Sequence, residues 1–287
     1  MKTLTLDAPA KINLTLDILG KRPDGYHDLQ MVMQSISLCD TVAVETAPGS
    51  GEIAVSTQGA ELPSGPENLA WKAAQKFLDD AGLQNISVKV HLDKRIPMQA
   101  GMAGGSADAA AVLRGLRTLV CPEFPDERLE IVGAQVGSDV PFCVRGGTAL
   151  AEGRGERLTN LNAMPHCWIV VCKPEFGLST PELFGRVHTD VLQKRPDTAG
   201  VIAALRHGDL SMLSAQLCNV FEEVLLPQER QEIVSIEEEM RRGGALNALM
   251  TGSGPTVFGL FTERDDADNT VQMLRRKWRS VYLAEPI

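Results

Sequence analysis

No stretch of this 287-residue chain approaches the ~18 consecutive apolar residues of a membrane-spanning helix. The first twenty residues are no secretory signal, because Asp7, Lys11, Asn13 and Asp17 interrupt any apolar run. A soluble, cytoplasmic protein is expected. A basic run is also missing: 28 Lys and Arg stand against 37 Asp and Glu, for a net charge of −9. That balance argues against a nucleic-acid backbone or an anionic membrane as partner. It leaves room for a small anionic substrate, which one or two local cations can hold. The six cysteines, Cys39, Cys121, Cys143, Cys167, Cys172 and Cys218, form no C-x-x-C pair, and no Cys/His cluster has zinc spacing. They are expected to be buried thiols in a reducing compartment, with no protein metal site. Two nucleotide-binding signatures are lacking as well. No G-x-x-x-x-G-K-[ST] phosphate loop occurs, and no G-x-G-x-x-G dinucleotide fingerprint.

What is present is a chain long enough for one large or two medium domains. Ile12, Leu14, Leu16 and Ile18 alternate with Lys11, Asn13, Thr15 and Asp17, the pattern of a strand with one solvated face. Further strands are predicted at 31–38, 41–46, 53–56 and 86–92, with a helix over 67–81 that stops at Gly82. An apolar-rich helix over 106–120 follows the glycine-rich stretch, another spans 126–136, and a strand is expected just after Asp139. From about 167 the pattern restarts: strand 167–174, helices 209–219 and 228–241, strands 246–251 and 256–261, helix 264–277 and strand 280–284. Strands mixed with helices indicate an α+β fold. The polar, turn-rich segment 155–165 divides it into domains over 1–160 and 161–287.

The chemistry concentrates in a few places. The run Pro97-Met98-Gln99-Ala100-Gly101-Met102-Ala103-Gly104-Gly105-Ser106-Ala107 joins a strand to a helix. The first N–H groups and the dipole of such a helix attract an anion, and Gly101, Gly104 and Gly105 would let it approach the backbone. Ser106 could cap the helix or donate to a phosphate oxygen; an ordinary strand–helix turn explains the same residues. The run carries no lysine, so any cation must come from elsewhere. Lys11 and Asn13 share one strand face, which could equally be a plain exposed face. Asp139, in "GSDVPF", is either a turn aspartate or a carboxylate beside a reacting hydroxyl. Tyr26 and His27 follow the turn "RPDG", and Gly252-Ser253-Gly254 form a turn that could offer N–H groups to an anion.

Taken in chain order, "PAKINLTLDILGKRPDGYH", "PMQAGMAGGSADAA", "GSDVPF" and "MTGSGPTVF" resemble the motifs of the GHMP kinases. The combination "PAKINL…DGYH" is most similar to the branch whose acceptor is a cytidylyl sugar-alcohol diphosphate. The resemblance runs from residue 8 to about 261 and is weakest over 185–245. It implies an N-terminal domain like domain 2 of ribosomal protein S5, a ferredoxin-like C-terminal domain, and ATP and Mg²⁺ as cofactors. It implies that 97–107 wraps the ATP phosphates and that Asn68 and Lys94 lie near the nucleotide. Lys11 and Asp139 would be catalytic. Asn13, Tyr26, His27, Thr180 and Phe184 would hold the acceptor, with Tyr26 and Phe184 on the two faces of its cytosine. A homoserine- or mevalonate-type kinase, a non-catalytic nucleotide-binding protein and a nucleic-acid module are the alternatives. "DGYH", the intact Lys11 and Asp139, and the net charge speak against each in turn. Met102 stands where many family members carry Leu, a volume-conserving change.

Overall fold

The computed structural model describes all 287 residues. The first half of the chain runs β1 (Lys2–Lys21), β2 (His27–Pro48), β3 (Ile53–Gln58), α1 (Leu69–Asp80), β4 (Ile86–Asp93), α2 (Gly104–Val120), α3 (Asp126–Val136) and α4 (Val140–Arg145). Then come β5 (Thr148–Gly153), β6 (Arg157–Asn160), β7 (Trp168–Lys173), α5 (Thr180–Gly185), α6 (Thr198–His207) and α7 (Leu210–Ala215). The two-residue strand β8 (Cys218–Asn219) leads into a 3₁₀ turn over Val220–Val224. The chain closes with α8 (Pro227–Arg242), β9 (Asn247–Met250), β10 (Val257–Phe261), α9 (Arg264–Leu274) and β11 (Ser280–Ala284).

The chain divides into two compact units that are not continuous in sequence. One holds Met1–Ala10, Cys39–Ile96 and Ala103–Gly146; the other holds Lys11–Leu38, Pro97–Met102 and Gly147–Ile287. The expected boundary at 155–165 therefore falls inside the second unit. Two strands, β1 and β2, are long enough to contribute one half to each unit, which no local drop in hydrophobicity could announce.

In the first unit the later half of β2 pairs antiparallel with β4, Thr41 opposite Asp93, and β3 lies parallel to β4. Helix α2 packs on this sheet so closely that a Cβ on Gly115 would lie 3.0 Å from Val44 Cγ2 and 3.1 Å from Leu6 Cδ1. Ala109, Ala110 and Ala111 of α2 are fully buried. Helix α1 lies beside α2, with Phe77 fully buried and its ring 4.8 Å from that of Phe124. The segment after Asp139 is helix α4 and not a strand. Its four consecutive buried residues, Val140, Pro141, Phe142 and Cys143, read like a core strand, but Pro141 in the first turn favours the helix.

In the second unit β2 pairs antiparallel with β5, and β5 with β6. On the other side of β2 lies β1, followed by β8, which pairs parallel with β1 through Thr15 and Cys218. The helix expected over 209–219 is cut short at Ala215 so that 218–219 can make this pairing. A second sheet, ordered β11-β7-β10-β9, is wholly antiparallel and packs against α8 and α9. Strands β7, β9, β10 and β11 with their intervening helices make the β-α-β-β-α-β order of a ferredoxin-like unit.

The polar face of β1 is buried, contrary to the solvated face its alternation suggests. Lys11, Asn13, Thr15 and Asp17 are all 6 % exposed or less. Asn13 N donates to Thr251 Oγ1 at 2.8 Å, and Arg195 pairs with Asp17 at 3.0 Å. Alternation records which residues share a face; it does not record what later covers that face.

Phe77→Ala is expected to lower stability by about 3–5 kcal/mol, the range for emptying a filled aromatic site. A chemical denaturation midpoint close to that of the parent protein would contradict the packing described.

Candidate active site

Residues 97–103 have an uncommon backbone. Gln99, Gly101 and Ala103 take φ of +51°, +69° and +57°, and Gln99 and Ala103 are the chain's two non-glycine residues with positive φ. Each such residue costs on the order of 1–2 kcal/mol in the left-handed region. Alternating left-handed residues turn successive N–H groups toward one side and make a concavity for an anion. Helix α2 begins at once, with Ala103 as its N-cap residue, no side-chain cap and no acidic residue in its first turn. By contrast α1, α6 and α7 are capped by the side chains of Asn68, Asp197 and Asp209. The first N–H groups of α2 are thus left for an external acceptor. Ser106 is not the cap; it lies three residues into the helix.

The glycines of the run serve different ends. A Cβ on Gly101 would lie 2.4 Å from Thr251 O and 2.8 Å from Gly254 N. A Cβ on Gly252, at φ +56°, would lie 2.5 Å from Gly101 O and 3.0 Å from Lys11 Nζ. The two turns therefore meet backbone to backbone. Gly104 was expected to admit phosphate, but a Cβ there would first meet Ile96 Cγ2, at 3.1 Å, and one on Gly105 would meet Leu69 Cδ1, at 3.4 Å. Close packing against Ile96 within the first unit accounts for Gly104, while at Gly105 a Cβ would make only an ordinary contact.

Lys11 Nζ donates to Gly101 O at 2.7 Å and to Asn13 Oδ1 at 2.6 Å. Asn219, which sequence reasoning missed, donates from Nδ2 to Met250 O at 2.8 Å and Gly252 O at 2.9 Å. Thr180 Oγ1 and Ser253 Oγ lie 2.7 Å apart. Lys11, Asn13, Gly101, Gly252, Ser253 and Thr180 are thus one cluster of the second unit. His27 and Phe184 belong to the same unit and stack at 4.8 Å, with Phe221 edge-on to Phe184 at 4.9 Å. So Phe184 does not face an open gap beside Tyr26; a histidine ring lies against it. Burial, aided by the charge of Lys21, pulls the His27 pKa below its usual value, so the ring is neutral at neutral pH. Tyr26 is 55 % exposed and carries the Arg154 guanidinium over its ring at 4.9 Å.

In the first unit Asp139 occupies the N-cap position of α4 without capping it. Its segment adjoins the helix end of the run, since a Cβ on Gly137 would lie 3.8 Å from Ser106 Oγ. Asn68 makes two local hydrogen bonds: Oδ1 accepts from Ala70 N at 2.9 Å and Nδ2 donates to Pro63 O at 2.8 Å. The Lys94 ammonium is buried between Asp40 and Asp108.

Left-handed residues thus run directly into a helix with no side-chain cap. Residues 68–147 match the family "GHMP kinases N terminal domain", and residues 201–280 match "GHMP kinases C terminal". The chain is 40% identical over 99% of its length to all of the 4-diphosphocytidyl-2-C-methyl-D-erythritol kinase of Clostridium tetani. The chain belongs to the GHMP kinases. This GHMP kinase is also 44% identical to the enzyme of that name from Exiguobacterium sibiricum, over 98% of this chain and 97% of the other. A crystal structure of 4-(cytidine 5'-diphospho)-2C-methyl-D-erythritol kinase superposes with a TM-score of 0.82 at 33% identity, covering 99% of each chain. Homoserine kinase from Cytophaga hutchinsonii shares the fold alone, with a TM-score of 0.76 at 16% identity over 99% of this chain and 95% of the other. No helix is long and apolar enough to cross a membrane.

Gly101→Ala is expected to cost clearly more stability than Gly147→Ala. Both glycines have positive φ, but nothing lies within 4 Å of a Cβ on Gly147. The control should cost about 1–2 kcal/mol, the left-handed penalty alone, while Gly101→Ala adds the collision with Thr251. Equal denaturation midpoints for the two variants would refute the backbone contact.

Proposed function

We propose that the protein transfers the γ-phosphoryl group of ATP to a hydroxyl of 4-diphosphocytidyl-2-C-methyl-D-erythritol, the 2-hydroxyl by family likeness. The step belongs to the non-mevalonate (MEP) route to isoprenoid precursors, and we place it in the cytoplasm. The observation that carries this reading is the left-handed 97–103 backbone ahead of the uncapped α2, in a chain similar along its whole length to kinases of that name. The homoserine- and mevalonate-type alternatives have no comparable support, since those solved structures are only 16% and 20% identical.

In this reading the phosphates rest on the N–H groups of 97–107 and on the dipole of α2. The Ser106 hydroxyl, in the first turn of α2, is a side-chain oxygen that would hold Mg²⁺, and Mg²⁺ bound with ATP would neutralise phosphate charge. Asp139 orients the acceptor hydroxyl and accepts its proton. Lys11 supplies the cation that 97–107 lacks and stabilises the alkoxide charge as it develops. Phosphoryl transfer asks chiefly for positioning and charge stabilisation, so a cation from a distant strand serves as well as one in the loop. Asn13 holds Lys11 in place and lines the acceptor side with Thr180. The cytosine stacks on the exposed ring of Tyr26, on the face away from Arg154. His27, neutral and braced by Phe184, presents a donor and an acceptor to the base edge.

Asp139→Asn is expected to fold and bind ATP, with kcat lower by about 10²–10⁴-fold. ADP release with and without the cytidylyl acceptor measures it, and a near-normal kcat would remove Asp139 from the mechanism. Tyr26→Ala is expected to raise the acceptor KM about 10- to 100-fold, the weight of one stacked base, with the ATP KM unchanged. A rise confined to the ATP KM would mean that the two substrate sites have been exchanged.

A further inference from the structure

The phosphate-binding run is held at both ends by one buried group of charges. Asp40, on β2 and fully buried, accepts from Arg95 N at 2.5 Å and Ile96 N at 2.8 Å through Oδ1. Its other oxygen, Oδ2, accepts from Lys94 Nζ. Lys94 Nζ also donates to Asp108 Oδ2 at 2.5 Å. Lys94, Arg95 and Ile96 are the last residues before Pro97, and Asp108 lies in α2 just after Ala107. Asp40 also borders the helix end of the run, since a Cβ on Gly104 would lie 3.7 Å from its Oδ2.

Two carboxylates thus share one ammonium with almost no exposure to water: Asp40, Lys94 and Asp108 are 0 %, 9 % and 1 % exposed. Burial pushes the Asp108 carboxyl well above the usual carboxylate range, and the nearby Asp40 adds to the shift. One Asp108 oxygen, Oδ1, is buried without a hydrogen-bond partner. Replacing buried ionic groups by apolar ones is often neutral or stabilising, so this arrangement is a poor way to gain stability alone. It is a specific way to fix a backbone. Carboxylate bonds to two successive N–H groups set the direction in which the chain leaves β4, and the lysine ties that point to the start of α2.

We infer that Asp40, Lys94 and Asp108 form a positioning triad that sets the shape of the 97–107 cradle and through it the affinity for ATP, without any of the three touching the nucleotide. The inference rests on the proposed binding of ATP to that run. It gives Lys94 a different part from the one the family resemblance implies: its ammonium is directed at two aspartates.

The test is ATP binding by titration calorimetry to the full chain without acceptor, followed by steady-state kinetics and thermal melting. Asp40→Asn keeps an oxygen for the Arg95 and Ile96 N–H groups but removes the negative charge that faces the Lys94 ammonium. It is expected to weaken ATP binding about ten- to hundredfold, the scale of a displaced binding group, with the acceptor KM changed less than about twofold. Asp108→Asn is nearly isosteric and carries the test if Asp40→Asn does not fold. It is expected to melt within a few degrees of the parent and still lose ATP affinity, by roughly three- to tenfold. ATP affinity within twofold of the parent in a folded variant would make the triad structural only and overturn the inference. Equal losses for ATP and acceptor would overturn it too, by showing general disorder. A parent protein that fails to bind ATP would defeat the proposed function and this inference together. A parent that binds ATP alongside an unaffected Asp40→Asn would defeat only this one.

Discussion

Lys11 Nζ reaches the carbonyl of Gly101 at 2.7 Å, ninety residues further along the chain, and the carbonyl belongs to a turn that also touches Thr251 and Gly254 through bare backbone. This three-way contact between β1, the 97–102 turn and the 251–254 turn organises the second unit's share of the site. It tolerates no side chain at 101 or 252, which is why both are glycine. It also buries an ammonium to 4 % exposure, a costly act unless that ammonium is well hydrogen-bonded. Asn13 from the same strand meets that requirement at 2.6 Å.

The left-handed residues Gln99 and Ala103 flank Gly101 in the chain. A turn held at Gly101, with Asp40 gripping the N–H groups just before it and α2 starting just after, has little freedom to relax into commoner conformations. The strain is of order a few kcal/mol in total and is sustained by surrounding hydrogen bonds. The result is a run with left-handed residues at 99, 101 and 103 ahead of a helix with no side-chain cap. The absence of a lysine from the run then has a physical explanation. In the proposed mechanism the backbone supplies the dipoles, and Lys11 on a strand supplies the charge.

Much of the site was legible as motifs. The 97–107 run lies between a strand and a helix as expected, and the Lys11–Asn13 pair is on one face of a strand. What misled was local pattern taken as environment. Gly104 suggested room for phosphate, yet a Cβ there would first press on Ile96, at 3.1 Å. Four buried residues after Asp139 suggested a strand, and Pro141 made them a helix. Asn219 gave no signal, because an asparagine before an apolar pair looks like any turn residue. Its value lies in two carbonyls more than thirty positions away.

Sequence by itself determined the kind of each long element, the family and the residues that carry its motifs, because periodicity and short motifs are local properties of the chain. Tertiary structure decided what those residues face. Whether the polar side of β1 is wet depends on Thr251, 238 positions away, and on a two-residue strand too short to leave a pattern. Whether Lys94 points to a nucleotide or to Asp40 depends on a strand 54 positions earlier. Neither can be read from neighbours in sequence, since the free energy of a buried charge is set by whatever partners the fold brings to it.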